Sequence, residues 1–299
     1  MSILVVGSVA LDSVKTPFGE VHEALGGSAV YFSLGASYFA DVNLVAVVGE
    51  DFPGEHVELL KSKGVDTEGL QIKKGNTFRW KGEYGYDLNN RTTHYTHLNV
   101  FENFKPCLPE RYKKCKFVFL GNIDPVLQER VLSQVEKPVL TACDSMDFWI
   151  KNKKKALLKV LKKVDVFIIN DSEARELSEE ANLVKAAKKI YLLGPKLIII
   201  KRGEYGALMY CNHSFFWAPA YLLDSVCDPT GSGDTFAGGF FGYLASCKTL
   251  NEANFKKAVI YASVLASFNV EDFSVNRLKN LSMQKIKIRY KEFVKLTKF

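Results

Sequence analysis

The sequence lacks several features that would mark other classes of protein. Its six cysteines include no Cys-x-x-Cys pair and no histidine at zinc-ligand spacing, which argues against a zinc site or a redox motif. No apolar run approaches the roughly 20 residues that a membrane-spanning helix needs, and no basic segment precedes the apolar run Ile3–Val6. These absences predict reduced thiols, no membrane partner and a cytoplasmic location.

Two common nucleotide-binding fingerprints are also missing. No Gly-x-x-x-x-Gly-Lys-Ser/Thr segment occurs, so a P-loop is excluded. Gly7 follows the first apolar run but lacks the two later glycines of a dinucleotide-binding turn. A dehydrogenase is therefore not expected, and any nucleotide must be held by a different kind of turn.

Positive charge is in excess but is not concentrated. The net charge is +7, and lysine carries most of it. A nucleic-acid-binding protein usually gathers its basic residues on one face with interleaved aromatics, whereas only residues 151–155 and the C-terminal tail are dense here. The charge pattern predicts no nucleic-acid partner.

The order of apolar segments predicts an α/β fold. Short apolar runs end in Gly, Asn or Asp and are followed by segments with helical periodicity, which is typical of a mostly parallel central sheet flanked by helices. The runs are continuous rather than alternating, so both faces of the sheet should be covered. We predict a single domain over residues 1–299. The expected strands are Ile3–Val6, Val42–Val48, Phe117–Leu120, Val139–Cys143, Val164–Ile169 and Leu197–Ile200, and the expected helices include Ser28–Phe39, Glu55–Lys63, Glu173–Leu177 and Asn182–Tyr191.

Two segments interrupt this rhythm. Residues 70–101 alternate polar with β-branched or aromatic residues around a turn at Asp87–Asn90, which predicts an inserted hairpin that could act as a lid. A second hairpin is expected from Gly206–Cys211 and Ser214–Ala218, at the edge of the sheet. An exposed lid sheet could pair with its twin, so a homodimer through the lid is left open.

The strongest chemical signal is a glycine-rich turn that opens into an apolar helix. Gly231, Ser232 and Gly233 precede Asp234, and backbone N–H groups at such a helix start form a site for phosphate or a developing anion. Phosphoryl transfer depends mainly on positioning and electrostatics, so one carboxylate near the acceptor hydroxyl suffices as a base. Asp234 is the candidate base. The alternative is an ordinary turn in which Asp234 is only a capping charge.

Several motifs together resemble one family. The segment Asp228–Asp234 resembles the C-terminal signature of the ribokinase-like (PfkB) carbohydrate kinases. Further pieces follow the family's order across almost the whole chain, namely Gly7–Asp12, Gly26–Ala29, Val48–Gly54, Asn170–Glu173 and Lys201–Gly206. The resemblance implies a ribokinase-like fold with an inserted β lid, an ATP-dependent kinase acting on a sugar hydroxyl, and Mg²⁺ as cofactor, with activation by K⁺ as a further suggestion.

The resemblance also implies roles for individual positions. In it, Asp234 is the base and Gly231, Ser232 and Gly233 form the anion cradle. Substrate contacts fall to Asp12, Gly26 and Gly27, nucleotide contacts to Lys201, Gly203, Gly206 and Asn170, and the magnesium region to Glu173 and Asp228. Each short motif also has a structural alternative; Asn170 with Glu173, for example, is a fair helix-capping box.

Other positions leave the substrate open. Tyr31 stands where many members of the family carry Asn, so the usual amide contact to a sugar hydroxyl is missing. Tyr31 is still a candidate substrate-binding residue, and so is Arg91 in the inserted hairpin, which could clamp an anionic substrate group or remain solvated. Asn122, Asp124 and Asp144 follow predicted strand ends, where such sheets bind ligands, but they are also common turn residues.

Three functions are consistent with these observations. A kinase for a sugar or sugar-like alcohol is favoured. A nucleoside kinase of the same family is the first alternative, because Tyr31 and the aromatic insertion would suit a nucleobase. A non-catalytic ligand-binding regulator on this fold is the second, and the presence of Asp234 argues against it.

Overall fold

The apolar runs of the sequence form a nine-stranded sheet. The computed structural model describes residues 1–298. Seven strands pair in parallel and a C-terminal hairpin continues the sheet in antiparallel fashion. In spatial order they are β13 (Ser214–Ala218), β12 (Ala207–Cys211), β11 (Leu197–Lys201), β10 (Val166–Asn170), β9 (Leu140–Cys143), β8 (Phe117–Leu120), β1 (Ile3–Val6), β4 (Val42–Gly49) and β5 (Val65–Lys73). The predicted α/β class, the strands and the edge hairpin are confirmed.

Both faces of this sheet are buried, which is why its strands are continuously apolar. Alternate residues of β1 enter two different cores: Ile3 and Val5 face one, and Leu4 and Val6 face the other. In the first core, Phe32 and Phe119 stack with their ring centroids 4.2 Å apart. The sheet is thus a middle layer between two layers of helices, and its strand ends are the positions where polar side chains can gather.

The helices begin and end close to the predicted positions. The helix predicted over Glu173–Leu177 runs from Asp171 to Ser178, because Asn170 caps it. Within residues 1–298, no helix combines the length and apolarity needed to cross a membrane. The helices are α1 (Ser28–Ala36), α2 (Gly54–Ser62), α3 (Pro125–Leu132), α4 (Asp147–Asn152), α5 (Lys154–Leu161), α6 (Asp171–Ser178), α7 (Leu183–Tyr191), α8 (Ser232–Ser246), α9 (Glu252–Asn269), α10 (Asn276–Lys279) and α11 (Met283–Leu296).

The predicted lid segment needs correction at its boundaries. Residues 70–73 complete β5 of the main sheet instead of starting the insertion. The lid is a separate four-stranded sheet with half of its strands drawn from the beginning of the chain. Its order is β3 (Gly19–Gly26), β2 (Ala10–Thr16), β6 (Phe78–Tyr84) and β7 (Arg91–His97). Only β6 and β7 form the hairpin expected within residues 70–101.

Helix α8 lies unusually close to α1. A β-carbon at Gly238 would be 2.2 Å from the backbone carbonyl oxygen of Phe32, so only glycine fits there. This contact accounts for a glycine in the middle of a helix, where it would otherwise weaken the helix by about 1 kcal/mol. Close packing of the two helices holds the start of α8 at a constant position over the sheet.

We expect Gly238→Ala to destabilise the protein by about 2 kcal/mol, because the added methyl group forces two packed helices apart. Urea unfolding followed by circular dichroism measures the change. Gly54→Ala is the control, since Gly54 is also a helical glycine, at the first position of α2, and nothing lies within 4 Å of a β-carbon there. Equal unfolding midpoints for the two variants would contradict the proposed contact.

Candidate active site

The first turn of α8 presents free backbone donors. Gly231 precedes the helix in a left-handed conformation, with φ 73° and ψ 0°. The N–H of Ser232 donates to the carbonyl of Pro229 at 3.2 Å, so it is not available to a ligand. The N–H groups of Gly233 and Asp234 have no acceptor within residues 1–298. With the positive end of the helix dipole, these two groups can bind an anion.

Residues behind the turn hold it in place. The ring of Tyr31 lies against Gly231, since a β-carbon there would be 2.3 Å from ring atoms of Tyr31. Tyr31 is 2% exposed, so its ring has little room to move away from Gly231. Asn269 Nδ2 donates to the carbonyl of Thr230 at 2.8 Å. The turn therefore has little freedom to move.

Asp228 supports the same turn from inside the protein. Its side chain is fully buried, and its two oxygens accept from the N–H groups of Thr230 at 2.8 Å and Ser274 at 3.3 Å. Burial raises the pKa of Asp228. These contacts describe a residue that fixes the loop, and its role in the magnesium region stays a prediction.

Asp234 lies at the mouth of the turn in a partly buried position. Burial, together with the negative charge of Asp144, raises the pKa of Asp234 to about 7, although the positive charges of Lys201 and Arg91 act in the opposite direction. A carboxylate that titrates near neutral pH is well matched to accepting a proton from a hydroxyl. The geometry thus places this carboxyl beside the free N–H groups of the α8 turn, and its role as the base stays a prediction.

Asp12 and the di-glycine lie together, as the sequence predicted. Asp12 is 7% exposed in β2, and its Oδ2 accepts from the N–H of Gly27 at 3.3 Å. Gly26, at the end of β3, pairs with Ala10 of β2. Burial raises the pKa of Asp12 to about 7, and the charges of Asp228 and Asp234 add to this effect. Asp12 therefore lies close enough to the α8 turn for the charges of Asp228 and Asp234 to act on it.

The ends of β10 and β11 supply a second polar group. Asn170 and Lys201 are directly paired across these strands. Asn170 Oδ1 accepts from the N–H of Glu173 at 2.8 Å, and Glu173 Oε2 accepts from the N–H of Asn170 at 3.0 Å. Burial raises the pKa of Glu173 to about 7. The capping interaction is present, and the nucleotide and metal roles of these residues stay predictions.

The turn after β11 contacts the tip of the lid. A β-carbon at Gly203 would be 2.0 Å from Asn89 Oδ1, and Asn89 Nδ2 donates to Glu204 Oε1 at 3.4 Å. Gly206 accepts from the N–H of Arg202 at 2.8 Å and closes the turn. In this arrangement Gly203 faces the lid, and the proposed nucleotide contacts of both glycines stay predictions.

The lid covers the α8 turn. Tyr84 and Arg91 are paired across β6 and β7, and Thr230 Oγ1 donates to the Tyr84 hydroxyl at 3.3 Å. The Arg91 guanidinium lies 5.9 Å from the ring centroid of Trp80, whose indole rests on the backbone of Gly82. The positive charge of Arg91 acts on Asp234 and partly offsets the rise in its pKa that burial causes. The lid thus places aromatic side chains and the cationic Arg91 over the site.

A family model described as pfkB family carbohydrate kinase matches residues 3–280. The chain belongs to this family. The kinase is 29% identical to the cytidine kinase of Thermococcus kodakarensis over 259 residues, which are 84% of this chain and 91% of the relative. It is 25% identical to the inositol 3-kinase of Arabidopsis thaliana, over 95% of this chain and 78% of that one. The predicted family is confirmed.

Solved structures agree with the fold. The kinase superposes on the nucleoside kinase of Methanocaldococcus jannaschii, a member of the ribokinase family, with a TM-score of 0.77 at 20% identity, covering 97% of this chain and 98% of that one. The ribokinase-like fold predicted from sequence is therefore confirmed. The kinase acts on a sugar or a nucleoside, and these comparisons leave both classes open.

Asp144 is a residue near the α8 turn that no sequence motif marks. Asp144 follows β9, is 5% exposed, and lies 3.6 Å from Lys201 Nζ. Its position after a strand was the available signal, but turn preference gave an equally simple explanation. Asn122 and Asp124 also follow a strand end but have structural roles. Asn122 Oδ1 accepts from Trp149 Nε1 at 2.9 Å, and Asp124 caps α3.

Proposed function

We propose that the kinase transfers the γ-phosphoryl group of ATP to a hydroxyl of a sugar or of the sugar part of a nucleoside, with Asp234 as the base. The observation that carries this proposal is the position of Asp234 beside the free N–H groups of Gly233 and Asp234 at the start of α8. A base next to an anion site is what transfer of a phosphoryl group to a hydroxyl requires.

The residues at the site can divide the work between binding and proton transfer. Asp12, with the N–H of Gly27, would orient the acceptor, and the first turn of α8 would hold negative charge that develops on the phosphoryl oxygens. Asp234 would take the proton of the attacking hydroxyl. The lid residues Tyr84 and Arg91 would exclude water from the site, which limits hydrolysis of ATP without transfer to the acceptor.

The fit of the site to the implied cofactors differs between ATP and Mg²⁺. The donors at the start of α8 and the ammonium of Lys201 suit the phosphates of ATP. Within residues 1–298 no group of three or more His, Cys, Asp or Glu side chains could hold a metal ion directly. Mg²⁺ usually keeps several of its water ligands. Water molecules near Asn170 and Glu173, together with ATP, would therefore hold the ion. Bound in this way, Mg²⁺ would neutralise charge on the phosphates. K⁺ activation stays a prediction.

A nucleoside is the second candidate acceptor. The indole of Trp80 packs against Gly82 and borders Arg91, and the Tyr84 hydroxyl lies at the α8 turn. Aromatic faces of this kind can stack on a nucleobase. Relatives named as cytidine kinase and nucleoside kinase favour the same acceptor class. A non-catalytic regulator is disfavoured, because Asp234 is present beside the free N–H groups at the start of α8.

ADP release from ATP over a panel of pentoses, hexoses, keto-sugar acids, inositol and nucleosides tests the proposal. We expect turnover with one class and kcat/KM at least about a hundredfold above that of the others, since an unpaired polar group in a closed site is strongly penalised. Exchanging K⁺ for Na⁺ in the same assay tests the cation. ATP binding without turnover on any acceptor would contradict the kinase and support the regulator.

The pH dependence of the reaction follows from Asp234. Its raised pKa, about 7, means that below this pH the carboxyl is protonated and cannot accept the proton of the acceptor. We therefore expect kcat/KM to fall about tenfold per pH unit below pH 7 and to level off above it. The measurement is a profile from pH 5.5 to 9. A flat profile across the acid range would contradict the role of Asp234.

A further inference from the structure

The ammonium of Lys201 reaches from the end of β11 to the first turn of α8. A β-carbon at Gly233 would be 2.7 Å from Lys201 Nζ, so the ammonium occupies the space that glycine leaves free. The side chain is only 18% exposed. The N–H groups of Gly233 and Asp234 are also without acceptors in the described part of the chain. Three donor groups, these two N–H groups and the ammonium, therefore lie in one small region.

Asp144 is the carboxylate that holds this ammonium. Its Oδ2 lies 3.6 Å from Lys201 Nζ, and its Oδ1 accepts from the N–H of Ser145 at 2.6 Å. The contact crosses the sheet, since β10 lies between β9 and β11. Lys201 has three N–H donors, and within residues 1–298 Asp144 is the carboxylate that lies within 4.0 Å of it. Donors therefore remain for the oxygens of a ligand.

A purely structural ion pair explains this cluster poorly. Buried ion pairs add little stability compared with apolar residues of the same size, because both charges lose their hydration. Burial acts to lower the pKa of Lys201, but the carboxyl groups of Asp144, Asp234 and Glu173 around this single ammonium raise it overall. Such an arrangement is costly for folding alone and is typical of sites that handle charged substrates.

We propose that Lys201 contacts the phosphoryl group while it is transferred, and that Asp144 is the positioning residue that keeps the Lys201 ammonium at the first turn of α8. This inference rests on the proposed function. In the step, the acceptor oxygen forms a bond to the γ-phosphorus as the bond from phosphorus to the bridging oxygen breaks. The electron pair of that bond stays on ADP, Asp234 receives the acceptor proton, and Lys201 remains protonated throughout.

The test compares Lys201→Met, Asp144→Asn and the double variant in the full-length kinase. We expect Lys201→Met to lower kcat at least tenfold and Asp144→Asn to lower it about tenfold, while the Kd for ATP changes less than about threefold in each. The double variant should be no slower than Lys201→Met, since Asp144 acts through Lys201. Additive losses would overturn the role of Asp144, and a raised Kd with unchanged kcat would overturn that of Lys201.

Asp124→Asn is the matched control. Asp124 forms the same kind of ion pair with Lys153 and caps α3, a role that asparagine can also fill. We expect its kcat to stay within about twofold of the wild type. A loss as large as that of Asp144→Asn would overturn the proposal, because any broken ion pair would then have the same effect. If Asp144→Asn does not fold, Lys201→Gln carries the test through the same comparison of kcat with Kd.

Binding of a transition-state mimic separates this inference from the proposed function. ADP with aluminium fluoride imitates the phosphoryl group in transfer, and the wild type should bind it at least tenfold more tightly than Lys201→Met does. If the wild type turns over no acceptor on the panel, the proposed function fails, and the inference is judged by this binding alone. Tighter binding by the wild type supports it, and equal affinities overturn it.

Discussion

Asp234→Asn is expected to lower kcat at least about a hundredfold and to leave the affinity for ATP nearly unchanged. The asparagine keeps the shape of the side chain and the helix start, so the anion site remains, but it cannot take the proton of the acceptor. Burial raises the pKa of Asp234 to about 7, so a neutral group at this position should not weaken the fold. ADP release gives kcat, and calorimetric titration gives the Kd for ATP.

Asp224→Asn is the control for this result. Asp224 is an exposed carboxylate in the loop that precedes the glycine-rich turn. We expect wild-type kcat for it, because an exposed carboxylate without a ligand contact contributes little. If Asp234→Asn retains kcat within about threefold of the wild type, a residue other than Asp234 must be the base.

Gly231→Ala is expected to lower kcat/KM about a hundredfold. At φ 73° a side chain is strained, and its β-carbon would lie 2.3 Å from the ring of Tyr31. Because Tyr31 is buried, the turn has to shift, and a displacement of about 1 Å at a reacting centre can cost about a hundredfold in rate. Steady-state kinetics measure the loss, and circular dichroism checks that the variant is folded.

A double-mutant cycle tests the cause of that loss. Tyr31→Ala removes the ring, so adding Gly231→Ala in this background should cost less than about tenfold. If Gly231→Ala costs the same in both backgrounds, the contact with Tyr31 is not what constrains the turn. A fully active Gly231→Ala would contradict the requirement for this turn geometry altogether.

The main sheet was predictable from sequence because its strands are buried on both faces. Runs such as Ile3–Val6 and Phe117–Leu120 are wholly apolar, and each is followed by a helical segment. The first half of the lid was missed because half of the residues of β3 are exposed and no continuous apolar run marks the strand. The first residues of β2, Ala10–Asp12, were assigned to the Gly7–Asp12 motif, and the strand that they begin was not predicted.

The site was predictable where motif residues follow strand ends or begin a helix. Asp12 and Gly27 lie together because β2 and β3 pair in the lid sheet, and Asp12 is close enough to the start of α8 for the charge of Asp234 to act on it. The contact of Asp144 with Lys201 could not be predicted, since it depends on the spatial order of β9, β10 and β11. The contact of Asn89 with Gly203 depends on how the lid lies, which local sequence does not encode.

Transfer of label from ATP radiolabelled at its γ-phosphorus, in a single turnover with the preferred acceptor, tests the central claim most directly. We expect the wild-type kinase to place the label on the acceptor hydroxyl and Asp234→Asn to do so at least about a hundredfold more slowly, with both proteins binding ATP equally. Label that leaves only as inorganic phosphate, or equal transfer rates for the two proteins, would contradict a site in which Asp234 accepts the proton while the first turn of α8 holds the migrating charge.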